Sequence, residues 1–317
     1  MSQKEDEPMN KLIKTLLIGS GALLSAGIAE HILSKKDESK CIPYGTRIET
    51  PYGKMNVSID GNQGPVIVLL SGYGTAAPIL DFQPLAKRMS AYARVVTVEY
   101  LGYGCSDRSE RTRSVEHICE ELHSLLHTMQ YDRYYLMAHS ISGVYALYYQ
   151  HMYETEVCGI IGIDPSVPKQ IDYVDSSKEQ WITAPLKKSG LMRFINAVKP
   201  GSFIPHSADY DAQSIATIKG MAFSQRTNPS FKEEGKRINE NFMACRELSY
   251  PKHLPILMLL SSRNCKMVKW WKSLHEEQLE DHPQARLLVL EGSHYLHWSQ
   301  SKQMAEEVRH FLSEEAL

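Results

Sequence analysis

"YYLMAHSISGVYALYY", Tyr134 to Tyr149, begins as an apolar run and continues with helical spacing, and at the junction stand two serines two residues apart. A buried strand that turns sharply into a helix projects the corner side chain above its sheet, and the strained corner needs small residues two positions before and two after it. For Ser140 those neighbours are Ala138 and Ser142, with Gly143 next; for Ser142 they would be Ser140 and the branched Val144. Ser140 is therefore the candidate nucleophile and Ser142 the small spacer, although either serine would also serve as an ordinary helix cap.

Outward from this corner the same kind of run recurs. "VIVLL" (Val66 to Leu70), "RVVTVEY" (Arg94 to Tyr100), "CGIIGI" (Cys158 to Ile163), "PILMLL" (Pro255 to Leu260) and "RLLVLE" (Arg286 to Glu291) read as strands buried on both faces. "KMNVSID" (Lys54 to Asp60) alternates as a half-exposed strand does. Between them lie segments of helical period, as in "SVEHICEELHSLLHTM", where Val115, Ile118, Leu122, Leu125 and Leu126 share one stripe. The alternation predicts an α/β fold, a mostly parallel twisted sheet with helices on both faces, spanning residues 46–317. Roughly ninety residues separate Ile163 from Pro255, too many for a structureless loop inside a compact domain. They predict an inserted helical lid at about residues 169–252.

A net charge of -2 and a pI near 6.7 give no reason to expect a nucleic-acid partner, and small, roughly neutral ligands fit better. The 6 cysteines contain no CxxC pair, so neither a zinc site nor a redox dithiol is indicated. Residues 1–34 stand apart: "TLLIGSGALLSAGIA", Thr15 to Ala29, is uncharged and follows Lys11 and Lys14. As a helix it would reach about 22 Å against a hydrocarbon core of roughly 30 Å, and flanking Leu12, Ile13, Ile32 and Leu33 would extend it to membrane scale. An uncleaved membrane anchor, a signal peptide cut after Ala29, and a packing helix are the competing readings. The first two place the domain outside the cytoplasm, cell-surface or secreted, with residues 35–45 as a tether.

Acyl transfer to a serine needs donors aimed at the developing oxyanion. The Ile141 amide starts the helix after Ser140, and the Tyr73 amide lies in the glycine-rich loop "SGYGT" that follows "VIVLL". The base would be His294, on a Gly-Ser turn in "LLVLEGSHYLHW", with His297 as competitor. On these segments the chain, from roughly Met55 onward, resembles the α/β-hydrolase fold superfamily, in the manner of bacterial membrane-anchored or secreted serine hydrolases. "SGYG" stands where that family has its oxyanion loop, "EYLGYGCSD" resembles its Asp-x-x-Gly-x-Gly-x-Ser segment, "AHSISG" its nucleophile elbow and "EGSHYLH" its histidine loop.

The resemblance implies Ser140 as nucleophile, His294 as base, Tyr73 and Ile141 as oxyanion donors, and no cofactor. It leaves the acid between two places. The family's usual acid position falls at Asn264 in "LLSSRNCK", and a neutral amide there would leave a feeble enzyme. Asp164 in "IIGIDPSVP" ends the strand next to the elbow strand, where open α/β sheets build their sites and where some lipase-like relatives carry the acid; it is the preferred choice.

His123 and His127 have zinc-pair spacing without the glutamate of a catalytic HExxH, so no metal is expected. His139 is read as a substrate contact or packing, and Trp270 and Trp271 as core seals or lid contacts. A serine nucleophile excludes haloalkane dehalogenase and epoxide hydrolase chemistry, which uses aspartate at the corner. The expectation is a carboxylic ester hydrolase taking an apolar acyl or alkyl ester. The alternatives are a thioesterase, amidase, lyase or perhydrolase with the same triad, and an inactive binding or signalling protein in which Asn264 marks a lost acid.

Overall fold

Each apolar run becomes a strand of one sheet in the computed structural model, which describes residues 44–173, 204–224 and 228–314. The strands are β1 (Thr46–Thr50), β2 (Gly53–Asp60), β3 (Val66–Leu70), β4 (Arg94–Glu99), β5 (Tyr134–His139), β6 (Val157–Ile163), β7 (Ile256–Ser261) and β8 (Ala285–Leu290). They lie in the order β1-β2-β4-β3-β5-β6-β7-β8. β2 pairs antiparallel with β1 and β4, and every other pairing is parallel.

The helices are α1 (Pro78–Met89), α2 (Val115–Thr128), α3 (Ser142–Met152), α4 (Ala212–Ser224), α5 (Pro229–Cys245), α6 (Ser262–Met267), α7 (Trp271–Gln278), α8 (Leu296–Ser299) and α9 (Ser301–Glu314). Because side chains alternate along a strand, the central strands supply two cores. Ile67, Leu69, Met137, Ile161 and Leu257 pack against Phe82 and Leu85 of α1 and Val308 and Phe311 of α9. Val68, Leu70, Leu136, Ala138 and Ile160 pack against Ile118, Leu122 and Leu125 of α2 and Val144 and Leu147 of α3. All five residues of the predicted α2 stripe are buried, and Ser114 caps that helix by accepting from the His117 amide at 3.3 Å.

Two strands depart from the expected pattern. β8 is only half-buried, with Val289 42% exposed, because it is an edge strand paired to β7 alone. In β2 the polar Asn56 is buried beside Met55 and Val57, since its Nδ2 donates to the Glu99 carboxylate at 2.9 Å and to the Tyr44 carbonyl at 3.1 Å.

Within the described part of the interval 169–252 the regular elements are a 3-10 turn at Pro168–Asp172, then α4 and α5. α4 packs on α1 and α5 on α3. The α5 sequence is polar overall, yet Phe231, Glu234, Asn241, Phe242 and Cys245 form a buried stripe at helical spacing. Asn241 accepts from the Val115 amide at 2.8 Å and donates to the Arg113 carbonyl at 3.0 Å, which ties α5 to the start of α2. The anchor or signal segment at 1–34 and most of the tether lie outside the described residues, as does residue span 174–203 of the expected lid. Among the described residues no helix is long and apolar enough to cross a membrane.

Candidate active site

The chain turns between β5 and α3 at Ser140, whose φ of 56° lies in the left-handed region. A non-glycine residue there carries a strain on the order of 1–3 kcal/mol, sustained only where the surroundings over-determine it. They do so here by contact. A Cβ at Gly72 would lie 2.8 Å from Ser140 Cβ, and one at Gly143 would lie 2.6 Å from both Pro165 Cβ and the Ser166 carbonyl oxygen. The Ser166 amide donates to the Ser140 carbonyl at 2.7 Å. Ser142 is buried and donates to the Ser71 carbonyl at 2.6 Å, so the spacer serine joins the elbow to the loop that carries Tyr73.

His294 Nε2 stands 2.9 Å from Ser140 Oγ, and His294 Nδ1 stands 2.8 Å from Asp164 Oδ2. Ser140 and the His294 ring are partly exposed, whereas Asp164 is fully buried at the end of β6, also at positive φ (42°). The carboxylate is saturated with donors. The Ser261 amide (2.9 Å) and the Trp271 indole N–H (2.8 Å) reach Oδ1, while the Ser261 hydroxyl (2.9 Å), Asn264 Nδ2 (2.6 Å) and His294 Nδ1 share Oδ2. A buried carboxylate needs such partners, and charge-assisted bonds of this kind are the stronger ones.

The preferred site residues Ser140, His294 and Asp164 are thus brought together, with Ile141 next to Ser140 and the Tyr73 loop packed on it through Gly72. Asn264 donates to the Asp164 carboxylate: its Nδ2 is 3.4 Å from His294 Nδ1, but both are donors and both point at Asp164. His297 is fully buried, and its Nε2 faces Asp81 Oδ2 at 2.8 Å. The Trp298 indole N–H reaches the other Asp81 oxygen at 2.9 Å, so Asp81 fastens the loop that bears His294 onto α1.

Sequence reasoning did not find the roles of Ser261, Trp271 and Asp81. Each partner lies about a hundred or more positions away, and none stands in a local motif. His139 is buried, and its Nε2 donates to the His294 carbonyl at 3.1 Å, which supports packing and loop positioning over substrate contact. His123 Nδ1 faces Glu156 at 3.2 Å and its ring stacks on Tyr153 at 4.0 Å; among the described residues no cluster of histidine, cysteine, aspartate or glutamate could hold a metal ion.

Burial, followed by the neighbouring His294 and His297, holds the His139 imidazole well below its ordinary pKa of 6.5. It resists protonation in the fold but would gain a proton near pH 6.5 when unfolded, so the unfolded chain binds more protons as pH falls. Its contribution is full above about pH 6.5 and is lost progressively below it. Melting temperatures of the folded domain at pH 7.5, 6.5 and 5.5 should therefore fall across the lower interval, and His139→Gln should flatten the fall. An unchanged slope in that variant would refute the assignment.

The alpha/beta hydrolase family profile matches residues 67–307. An uncharacterized protein of Bacillus subtilis (strain 168), YbdG, is 27% identical over 260 residues, which covers 78% of this chain and 80% of that one. Among solved structures, an epoxide hydrolase from Vigna radiata aligns with a TM-score of 0.67 at 13% identity, covering 86% of this chain and 98% of its own. A membrane phospholipase A described as a bacterial virulence factor aligns at 0.63 and 14% identity, covering 98% and 99%.

Proposed function

The chain belongs to the alpha/beta hydrolase family, and from that premise we propose that it is a serine hydrolase cleaving carboxylic esters through an acyl-enzyme on Ser140. The observation that carries this reading is the continuous relay from Ser140 Oγ through His294 to the buried Asp164, with steps of 2.9 and 2.8 Å. Asp164 fixes the Nδ1–H tautomer of His294, which leaves Nε2 free to accept the serine proton. As Oγ bonds to the ester carbonyl carbon, the proton passes to Nε2 and charge develops on the carbonyl oxygen, to be met by the Ile141 and Tyr73 amides. Collapse of this intermediate breaks the bond to the alcohol oxygen, which takes the proton from His294. Water then repeats the sequence in reverse and frees the acid.

The preference for esters over other acyl compounds rests on family analogy. Thioesters and amides would meet the same relay. The test is fluorophosphonate labelling with intact-mass detection, followed by a panel of p-nitrophenyl esters. One phosphonyl adduct per chain is expected in the parent and none in Ser140→Ala. A folded parent that does not react would overturn the proposal. Membrane tethering or export by the N-terminal stretch is a separate proposal, tested by fractionating cells that produce the full chain; recovery in the cytoplasmic fraction would overturn it.

A further inference from the structure

Helix α5 carries an interior glycine, Gly235, which costs about 1 kcal/mol relative to alanine in a helix. It marks neither a turn nor a cap, since α5 continues from Pro229 to Cys245. What occupies the missing side chain's place is Tyr73: a Cβ at Gly235 would lie 2.5 Å from the Tyr73 hydroxyl oxygen and 3.3 Å from Cζ. That hydroxyl donates to the Phe231 carbonyl, one turn earlier on the same helix, at 3.1 Å, and the two rings meet at 5.8 Å. The helix is a firm base for such a bond. Buried Glu234 accepts from Tyr103 (2.8 Å) and Tyr145 (2.9 Å), and Asn228 Nδ2 donates to the Gly102 carbonyl at 2.8 Å.

The loop from Ser71 to Thr75 is tied to neighbouring elements by two side-chain hydrogen bonds. Its start is tied to the elbow where Ser142 donates to the Ser71 carbonyl at 2.6 Å, and its middle is tied to α5 through the Tyr73 ring. On the next residue the loop faces open space, for a Cβ at Gly74 would meet nothing within 4 Å. The Thr75 amide closes the loop on the Gly72 carbonyl at 3.3 Å, and Gly72 packs on Ser140, so the Tyr73 side chain is the link that ties the loop's middle to α5. The Tyr73 residue is 37% exposed, but partial burial of its hydroxyl, and then Glu234, push that group up to about 12, so it remains a donor at working pH.

We propose that the Tyr73 phenol is a positioning group: by bonding to the Phe231 carbonyl it sets where the Tyr73 amide lies over Ser140, and Gly235 is glycine to admit it. The inference rests on the acyl-enzyme reading and adds a specific link between α5 and the oxyanion site. Electrostatic stabilisation of this kind depends on donors placed in advance, and displacing one costs less than removing it, so a loss of about tenfold in acylation is expected.

The experiment uses Tyr73→Phe, Gly235→Ala and the double variant of the full chain, read by fluorophosphonate acylation rate, kcat and KM on p-nitrophenyl butyrate, melting temperature, and hydrogen exchange of a peptide spanning residues 71–75. Each single variant should lose about tenfold in acylation rate and kcat with KM nearly unchanged, and should exchange faster in that peptide. Gly235→Ala should do so without a lower melting temperature, which a merely structural defect would show. Adding Gly235→Ala to Tyr73→Phe should change the rate less than twofold, because the hydroxyl it would strike is gone. Fully additive losses, or unchanged exchange in both single variants, would overturn the proposal. An unreactive parent would instead overturn the acyl-enzyme reading, and the exchange data would still decide whether the phenol orders the loop.

Discussion

Asp164→Asn will slow acylation of Ser140 by about 10⁴, the loss that the same exchange causes in a serine protease relay, while leaving a folded protein. The carboxylate accepts five bonds, from the Ser261 amide and hydroxyl, Trp271, Asn264 and His294. An amide nitrogen in place of either oxygen would face donors with a donor, at a cost of about 1–3 kcal/mol for the buried mismatch. It would also favour the wrong tautomer of His294, with the proton on Nε2 facing Ser140, so that the base is lost. Asn264→Ala should cost far less, tenfold or below, since Ser261 and Trp271 still hold the acid. Rapid-mixing fluorophosphonate labelling with circular dichroism as a folding control measures both. If the two variants were equally slow, the charge on His294 would be supported by Asn264 as much as by Asp164, and the relay as drawn would be wrong. The swap variant, Asp164→Asn with Asn264→Asp, gives a further reading: Asn264 Nδ2 lies 3.4 Å from His294 Nδ1, so a carboxylate there should recover at least part of the rate.

Much of this was legible in the residues. The apolar runs gave strands because a central strand buries both faces and has no polar alternation to hide it. The elbow was legible because its geometry excludes large residues at two fixed offsets, which separated Ser140 from Ser142. Asp164 was harder, since its claim depended on which strands are neighbours, and only the pairing of β5 with β6 and of β6 with β7 puts it between His294 and Asn264. What stayed hidden were contacts whose partners are distant and whose local pattern has another meaning. Glu234 and Asn241 on α5 belong to no sequence motif, yet they are 1% exposed because tyrosines and backbone groups more than eighty positions away satisfy them. Trp271, expected as a core seal or lid contact, is buried and donates to Asp164. Polar residues inside a helical stripe that also holds Phe231 and Phe242 were the one available signal that α5 is docked by hydrogen bonds.

The segment "EYLGYGCSD" makes the second large prediction, one of stability. Glu99 at the end of β4 is fully buried. It accepts from the Tyr44 hydroxyl (2.9 Å), Asn56 Nδ2 (2.9 Å), the Cys105 amide (2.6 Å) and the Ile79 amide (3.3 Å), which binds β2, α1 and the following loop to one carboxylate. That loop closes over Glu99 through Gly104, which has φ of 51°. A Cβ there would fall on the Glu99 carboxylate itself. Gly104→Ala therefore meets two obstacles at once, a left-handed backbone and a steric overlap with a buried group that cannot withdraw without leaving its four donors unpaired. The expected loss is about 4 kcal/mol or more, a size reached only by such compound defects, and the melting temperature should fall by on the order of 10 °C. Glu99→Ala alone should also destabilise, by orphaning the donors. Combined, the two should cost less than their sum, because removing the carboxylate makes room for the new methyl group. Thermal and urea melts of the three variants provide the cycle, and strict additivity would show that the clash is not what makes glycine necessary at position 104.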